Sequence, residues 1–535
     1  MSKAYSLFSQ RVNPQSEPIP GKDMVKNEAG GYVFKKEAWA AFERFLVLGS
    51  EGGTYYVSAE NLTKENALNT IACIREDGRR AVDTIVNVSS SGRAPKNDPA
   101  IFALALAAST EDLKTRQIAL DNLDKVCRIP THLFHFMTYV KNMRGFGRGL
   151  RTAIAKWYND KPVESMAFHA VKYQSRDGWS NSDVVRLAHP KTSERVRNLV
   201  YQWMHKGYEI DGADILPKII HGFEAAKAAN PQETVDLIRE YNLTREMVSS
   251  ETLKSPEVWE ALLEKMPLEA MIRNLGNMSK VGLVKPLSDA SKLIRERLSD
   301  QELLKKARIH PIGVLVALKI YAQGKGMLGK GEWNVDQNIV DALDDAFYKT
   351  FDYLTPTNKR FLIGVDMSGS MMGSGFRGGM LPNAGSTPLA PCEIAASLAM
   401  AVLKTEKNSY VCGFAREFRD LNISSKMRLD EVIQKCLSST FGSTDCAVPM
   451  IHALKEKLNV DAFVVITDND TYIGRIHPSQ ALNQYRERTG INAKQVVLAV
   501  TAGKFTIADP KDRNAMDIAG FDTSTPSVIS DFIRG

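Results

Sequence analysis

The chain has 535 residues, of which 44% are hydrophobic and 24% are charged, and its formal net charge is +7 at pH 7. This length exceeds one ordinary hydrophobic core, so we expect two or three domains. No run approaches the ~20 consecutive apolar residues of a membrane span, and the polar N-terminus lacks the apolar core of a secretory signal. We therefore expect a soluble cytoplasmic protein without a membrane partner.

The six cysteines are scattered along the chain, and none of them forms a CxxC pair. This spacing argues against a disulfide framework and against a structural zinc site. The positive net charge is modest and does not by itself indicate nucleic-acid binding. The informative feature is whether the cations cluster.

Residues 25–351 carry amphipathic helical patterns with few β-rich runs. The predicted helices include 99–108, 113–126, 256–265, 268–274, 302–307 and 312–322. Val258, Leu262 and Met266 recur at helical spacing, and a second short helix follows at once. Such a pair buries its apolar stripe only by stacking on a neighbour. We therefore predict an α-solenoid of HEAT-like repeats, with an ordinary multi-helix domain as the alternative.

After Pro356, apolar β-rich runs alternate with helices. The predicted strands are 360–366, 410–414, 462–468 and 495–500, and the predicted helices are 393–404, 429–437 and 479–488. This alternation is typical of βαβ crossovers around a parallel sheet that is covered on both faces. We predict a doubly wound domain over residues 357–535, after a helical module over residues 20–355. The turn 354–358 is short, so we expect the two domains to dock.

Oxygen donors follow three of the predicted strands. Asp366, Ser368 and Ser370 form a DxSxS pattern after the first strand, Thr444 lies in a Gly-Ser-Thr-Asp loop, and Asp468 ends a later strand. Ligands gather at the carboxyl ends of the strands in such a sheet. Two carboxylates and three hydroxyls, without sulfur or imidazole, make a shell for a hard cation. Mg²⁺ fits best, and Ca²⁺ or Mn²⁺ remain alternatives.

This three-part pattern resembles the metal-ion-dependent adhesion site of von Willebrand factor A domains. The resemblance implies that Ser368, Ser370 and Thr444 are direct ligands and that one coordination position is open to a partner's carboxylate. It places Asp366 and Asp468 near the ion or in contact with it through water. A Gly- and Pro-rich insertion, residues 371–391, follows the motif, and the sequence leaves open whether it is a lid or an inert loop.

A phosphatase of the haloacid dehalogenase type is a competing class, because it also begins with Asp after a first strand. Such an enzyme needs a second carboxylate two residues further on, where this chain has Ser368. We find no Ser-His-Asp, Cys-His or paired-carboxylate arrangement elsewhere. We therefore expect a protein that is not an enzyme.

A basic cluster lies in the helical part. Between residues 141 and 156 there is no Asp or Glu, and the cations are Lys141, Arg144, Arg148, Arg151 and Lys156. The neighbouring aromatic residues are Phe134, Phe136, Tyr139, Trp157 and Tyr158. Further cations, among them Lys172, Arg176 and His189, continue to Arg197. Cations interleaved with aromatics favour RNA binding over a merely solvated face. A lone histidine such as His189 is more often a packed or capping residue than an RNA contact.

Four segments resemble the TROVE module of the Ro ribonucleoprotein autoantigen family. They are KYQSRDGWS at 172–180 running into RLAHP at 186–190, MIRNLG at 271–276, LLKKARIHP at 303–311, and FTIADP at 505–510. The resemblance spans essentially the whole chain, and a helical module followed by an A-type domain is the family's own order. The insertion after DxSxS and the segment 174–190 depart from vertebrate members and favour a bacterial one.

The resemblance implies an α + α/β architecture, in which a ring of HEAT-like helical repeats is closed by the von Willebrand factor A-like domain. Small noncoding Y or Y-like RNAs would bind the outer basic surface, and the central hole would take the single-stranded 3′ ends of misfolded RNAs. Lys172, Arg176 and His189 fall at the family's Y RNA-contacting positions. The Arg144–Arg151 segment is our candidate for the single-strand path.

The function implied by the resemblance is RNA quality control and degradation without catalysis. The expected partners of a monomeric chain are then a Y or Y-like RNA, misfolded or structured RNA, and a 3′ exoribonuclease. The alternative is a metal-dependent protein-interaction scaffold that recruits a carboxylate-bearing partner.

Overall fold

The computed structural model describes residues 12–49, 59–326, 331–351, 356–372, 389–439, 442–520 and 522–534. Residues 354–355 of the expected interdomain turn and most of the insertion at 371–391 lie outside these residues. The N-terminal two thirds of the chain is helical. Its helices are α1 Ala38–Leu48, α2 Ala59–Glu76, α3 Gly78–Ser91, α4 Asp98–Ser109, α5 Leu113–Asp121, α6 Leu123–Val126, α7 Pro130–Met143, α8 Arg148–Asn159, α9 Val163–Lys172, α10 Asn181–Ala188, α11 Arg195–Lys206, α12 Lys218–Ala226, α13 Pro231–Tyr241, α14 Pro256–Lys265, α15 Leu268–Lys280, α16 Asp289–Ser299, α17 Gln301–Lys306, α18 Pro311–Ala322 and α19 Gln337–Lys349.

The C-terminal third alternates strands with helices. The helices of this part are α20 Pro391–Thr405, α21 Leu429–Ser439, α22 Val448–Lys455, α23 Pro478–Thr489 and α24 Thr525–Arg534. The strands of the whole chain are β1 Met24–Lys26, β2 Tyr32–Lys35, β3 Ser175–Arg176, β4 Trp179–Ser180, β5 Phe361–Asp366, β6 Ser409–Phe414, β7 Phe418–Asp420, β8 Ala462–Thr467, β9 Lys494–Ala499, β10 Phe505–Thr506 and β11 Ala515–Ala519.

Successive helices of the first part stack on one another, so that α12 packs on α13 and α13 packs on α14. Their apolar faces form one continuous buried core, which confirms the predicted helical solenoid. The single helix predicted over 113–126 is wrong, because the chain breaks at Asn122. There the Asn122 side chain donates to the carbonyl of Ile118 over 2.8 Å, so α5 ends and the short α6 begins.

The predicted doubly wound sheet is confirmed. Its strand order is β11-β9-β8-β5-β6-β7, and all neighbours are parallel except the edge strand β7, which pairs antiparallel with β6. Alternate residues of β5 face opposite sides of the sheet. Ile363 and Val365 pack with the core around α20, whereas Leu362 packs with Met450 of α22 and Leu482 of α23. The strand is buried on both faces, as its continuous apolar run predicts.

The N-terminal residues 24–35 were expected within the helical module, but they form a β-hairpin that joins the C-terminal domain. Strand β2 pairs antiparallel with β1 and also with β10, in the register Phe505 to Lys35 and Thr506 to Phe34. From α1, the fully buried Arg44 forms an ion pair with Asp517 of β11. The start of the chain is thus fastened to the same domain that the helical module leads into.

The other end of the helical module meets the same domain. Lys319 of α18 forms a 2.7 Å ion pair with Glu393 of α20, and Asp344 of α19 accepts a 2.9 Å bond from the backbone of Leu429. The two ends of the module also touch, because Arg308 donates to the carbonyl of Ser90 over 3.4 Å. These contacts close the helical repeats into the predicted ring.

No helix among the described residues is long and apolar enough to span a bilayer. No disulfide joins the six cysteines, all of which are described and buried.

Candidate functional site

The five predicted metal ligands converge at the carboxyl edge of the central sheet. Asp366 ends β5, Ser368 lies two residues later, and Ser370 lies in the 3-10 turn Gly369–Met372 that comes next. Asp468 comes directly after the neighbouring strand β8, and Thr444 lies in the loop before α22. Each of the five side chains is at most 4% exposed. Because β5 and β8 are parallel neighbours, their ends bring both carboxylates to one place.

Hydrogen bonds fix the orientation of these side chains. The Ser368 amide donates to Oδ1 of Asp366 over 2.9 Å, and the hydroxyls of Ser368 and Ser370 lie 3.0 Å apart. The Ser370 side chain also hydrogen-bonds the carboxylate of Asp468. Thr467 was absent from the predicted site, yet its hydroxyl donates to Oδ2 of Asp366 over 2.6 Å. The apolar pattern of β8 gave no signal for this contact.

Two buried carboxylates, those of Asp366 and Asp468, share this edge of the sheet. Burial, together with the charge of Asp468, raises the pKa of Asp366 to about 7. Burial also raises the pKa of Asp468. In the described part of the chain, no Lys or Arg forms an ion pair with either carboxylate. Buried charges are normally paired or bound to a metal, so the site has the electrostatics of a cation-binding site.

The donor set fits a hard divalent cation. The Thr444 hydroxyl is buried and has no hydrogen-bond partner among the residues that the structure describes. The backbone holds its loop against the site, since the Gly369 amide donates to Gly442 over 3.1 Å and the Tyr472 amide donates to Thr444 over 3.1 Å. No described group of three His, Cys, Asp or Glu side chains could hold a metal, so hydroxyl ligands would have to complete the shell.

The N-terminal segment fastens the loop that follows β8. Gln15 is fully buried, and its Nε2 donates to Asp445 over 2.7 Å and to the carbonyl of Ile476 over 2.9 Å. The Thr471 hydroxyl donates to Oε1 of Gln15 over 2.5 Å. A Cβ on Gly474 would lie 2.3 Å from Nε2 of Gln15, so the close fit requires glycine there. The polar sequence of the N-terminus gave no indication of this contact.

A two-stranded hairpin positions part of the predicted RNA site. Strands β3 and β4 are joined by Asp177 and Gly178, both at positive φ, which suits the right-handed twist of a tight hairpin. Trp179 of β4 packs edge-on against Phe146 with 5.5 Å between ring centroids, and the Lys141 ammonium lies 5.7 Å from the Trp179 ring. The end of α7, the loop before α8 and the hairpin therefore form one surface.

Several predicted cations are exposed on this surface. Lys141, Arg148 and Arg151 form no ion pair within the described ranges, whereas Arg176 lies 3.7 Å from Asp177. Arg148 and Arg151 lie in the first turn of α8, which contains no acidic residue. Cations at the positive end of a helix dipole are unfavourable unless an anion is nearby. We call Lys141, Arg148, Arg151 and Arg176 the basic surface.

Other predicted contacts are not part of that surface. Arg144 is partly structural, because it donates to the carbonyl of Ala108 over 3.0 Å. Lys172 is half-buried at the end of α9, with its ammonium 5.6 Å from the Phe168 ring and 5.5 Å from the Tyr173 ring. His189 is exposed in a left-handed conformation at the C-terminus of α10. The β3–β4 hairpin lies at the N-terminus of α10. The eight residues of this helix, at a rise of 1.5 Å each, place His189 about 12 Å from the hairpin.

Some interpretations of the sequence around this surface are wrong. The aromatic side chains expected to stack on bases are mostly core: Phe134, Phe136, Trp157 and Tyr158 are buried. Their spacing matches the apolar faces of α7 and α8, which bury them. Arg197, which we counted among the cations, is 7% exposed and bonds Glu194 and the carbonyl of Tyr158.

Comparison with known proteins agrees with this architecture. The TROVE domain family matches residues 25–213 and 238–320, and the Ro60 vWA domain family matches residues 360–533. The chain is 39% identical over 532 residues to RNA-binding protein RO60 of Deinococcus radiodurans, covering 98% of this chain and 97% of the relative. It is 33% identical over 608 aligned positions to RNA-binding protein RO60 of Caenorhabditis elegans, covering 98% and 92% of the two chains.

A solved structure shows the same fold. The crystal structure of the Deinococcus radiodurans Ro (RSR) protein superposes with a TM-score of 0.70 at 39% identity, covering 93% of this chain and 100% of that one. The higher identity to the bacterial relative agrees with the expected bacterial type. The chain belongs to the Ro family, with a TROVE domain followed by a Ro60-type von Willebrand factor A domain.

Proposed function

We propose that this chain is an RNA-binding protein and that the basic surface contacts RNA phosphates. The observation that carries the proposal is the exposure of Lys141, Arg148 and Arg151 without an ion-pairing carboxylate among the described residues, beside the half-buried Trp179. Phosphates would neutralise these charges and would also relieve the unfavourable position of two arginines at the start of α8. The names of the two relatives, both RNA-binding proteins, support the same function.

The finer proposal concerns which RNA is bound. We assign Arg176, Lys172 and His189 to a small noncoding Y or Y-like RNA and the ring to single-stranded 3′ ends of misfolded or structured RNA. The closure of the helical module into a ring supports this division, because a closed ring offers an outer surface and an inner passage. The protein would then act in RNA quality control and degradation, with a 3′ exoribonuclease as partner and without a catalytic step of its own.

The A-type domain is proposed to hold Mg²⁺ through Ser368, Ser370 and Thr444. Asp366 and Asp468 lie beside these hydroxyls and would balance its charge. The buried Thr444 hydroxyl, which has no partner in the described part of the chain, supports this assignment. A cation there would leave a coordination position for a carboxylate of a protein partner, which is the scaffold function that we retain as the second candidate.

The RNA proposal can be tested with the full-length chain, a small structured RNA and a DNA duplex of the same length. We expect tighter binding to the RNA, affinity that falls as salt rises, and RNA that is recovered intact after incubation. Replacing Arg148 and Arg151 with Gln should weaken binding. The matched control replaces Lys227 and Lys254, two exposed lysines already paired with glutamates three residues away. Affinity for RNA no greater than for DNA, or equal loss in both variants, would contradict the proposal.

A further inference from the structure

A cavity of about 230 Å³ lies between α9, α13, α14 and α15. Its floor is apolar and includes the buried side chains of Ile238, Leu243 and Leu262. The ring of Phe168 forms part of the wall. Pockets for drug-sized molecules begin at about 300 Å³, so this cavity suits a smaller planar group such as one nucleobase. An aromatic wall provides a stacking surface for such a group.

The rim of the cavity carries an excess of positive charge. Lys172, Arg239, Arg245 and Lys265 lie around it, against Glu246 and Glu264. Arg239 is neutralised by Glu264 at 2.8 Å. The other three cations form no ion pair within the ranges that the structure describes, and Lys265 donates to Oδ1 of Asn242 over 2.6 Å. The rim is therefore complementary to phosphates on either side of a base.

A polar group also lies in the cavity. Asn274 is 8% exposed; its Nδ2 donates to the carbonyl of Ala270 over 2.8 Å, and its Oδ1 accepts from Asn277 over 2.9 Å. One N–H and one lone pair of this amide remain for another partner. An asparagine amide can pair with the edge of a base. Lys172 and Asn274 belong to two motif segments about a hundred residues apart, and both line this cavity.

We propose that this cavity binds one unstacked nucleotide of a single-stranded RNA. The base enters against Phe168 and reaches Asn274, and its flanking phosphates lie against Lys172, Arg245 and Lys265. This inference rests on the proposed RNA-binding function and deepens it. Lys172, which we also assign to the Y or Y-like RNA, then contributes to this single-strand site as a rim residue and lies apart from the basic surface around Trp179. An acidic peptide would meet the same rim charges but would not use the aromatic wall or the amide.

The first experiment compares the affinity of full-length variants for a short single-stranded oligouridylate by fluorescence anisotropy. Replacing Arg245 and Lys265 with Gln changes exposed side chains on the rim, so the fold should be retained. We expect binding to weaken about tenfold and the slope of log affinity against log salt to shrink by about 1.4, at ~0.7 per phosphate contact. The control pair Lys227→Gln and Lys254→Gln should match wild type. Equal affinities and slopes in both pairs would overturn the inference.

The second experiment places 4-thiouridine in the same RNA and maps photocrosslinks by mass spectrometry. We expect crosslinks in the peptides that contain Phe168 or Met266. We also expect the Asn274→Ala variant to remain folded and to lose these crosslinks. Crosslinks only elsewhere, or displacement of the RNA by polyglutamate at the same concentration as by unlabelled RNA, would contradict a base-binding cavity. Wild-type protein that binds no RNA would defeat the proposed function as well. Wild-type binding with unaffected rim variants would defeat this inference alone.

Discussion

The side-chain amide of Gln15 donates a 2.7 Å hydrogen bond to Oδ1 of Asp445, a residue 430 positions later in the chain. Asp445 directly follows Thr444, and Gln15 also accepts a bond from Thr471 in the loop after β8. The N-terminal segment therefore holds two loops that border the predicted metal site. One buried glutamine therefore attaches the N-terminal segment to the carboxyl edge of the sheet.

Replacing Gln15 with Ala should lower the free energy of unfolding of the C-terminal domain by about 2–4 kcal/mol, because the buried Asp445 carboxylate loses a donor. All six tryptophans lie between residues 39 and 333, so the change is measured instead by hydrogen exchange across a denaturant series, followed by mass spectrometry of peptides from the C-terminal domain. Gln337→Ala is the matched control, since Gln337 is exposed and donates to Asp341 over 3.2 Å. We expect the control to change stability by less than about 0.5 kcal/mol. Similar losses of stability in Gln15→Ala and Gln337→Ala would argue against a stabilising role for the Gln15 hydrogen bonds.

Asp517→Asn should destabilise the ring more strongly. The side chain of Asp517 is 9% exposed. Although burial opposes ionisation, Arg44 and Lys36 hold the pKa of its carboxyl below the usual value. Removing the charge leaves two buried cations without their partner, which costs about 3–5 kcal/mol. The denaturant midpoint measures this loss. Asp531→Asn, an exposed partner of Arg534, should leave the midpoint unchanged, and an unchanged midpoint in Asp517→Asn would contradict the ion-pair assignment.

His310 should make the stability sensitive to acid. It caps α18, and burial lowers its pKa from 6.5 to about 4, with the backbone of Arg93 and the charge of Asp522 acting in the opposite direction. The folded state therefore favours the neutral ring, so its contribution is complete above pH 6.5 and is lost as the pH falls towards 4. His310→Asn keeps a capping side chain and removes the titration.

The stability of His310→Asn should accordingly fall less than that of wild type between pH 6.5 and 4. Thermal midpoints across this range give the comparison, with the exposed His205→Asn as the control. Parallel pH profiles for wild type and His310→Asn would show that His310 does not titrate in this way.

The predicted parts of the structure share a local cause. The periodicity of α14 and the apolar run of β5 each follow from neighbouring residues, and the DxSxS motif follows directly on β5, so the position of Asp366, Ser368 and Ser370 at the carboxyl edge of the sheet could be predicted. Contacts between distant segments left no local signal. The β2–β10 pairing and the Gln15 network are of this kind, because they depend on ring closure and on no pattern within either segment.

The cations between residues 141 and 197 show the same difference. They could be identified from the sequence, but which of them lie on the basic surface, at the cavity rim or in the core could not. Trp157 and Trp179 are equally aromatic in the sequence, yet α8 buries the first and a hairpin presents the second beside Lys141. Arg245 and Lys265 lie outside the basic run, and only the stacking of α9 on later helices brings them near Lys172.

Replacing Ser368 and Ser370 together with Ala should abolish the rise in melting temperature that added Mg²⁺ produces, because two proposed ligands are lost. The fold should be retained, and RNA affinity should be unchanged, since the basic surface lies in the other domain. Ser90→Ala combined with Ser299→Ala, two exposed serines of the helical module, provides the control. A Mg²⁺-dependent rise that persists in the Ser368 and Ser370 variant would contradict the metal assignment.

The most direct test of RNA recognition is a salt titration of wild type and of the Lys172→Gln, Arg176→Gln double variant with a structured small RNA. Each lost phosphate contact reduces the release of counterions, so we predict that the slope of log affinity against log salt shrinks by about 1–2. The Lys227 and Lys254 variant should keep the wild-type slope. Equal slopes for wild type and the Lys172 and Arg176 variant would mean that these side chains only cover a solvated face, and would contradict the account.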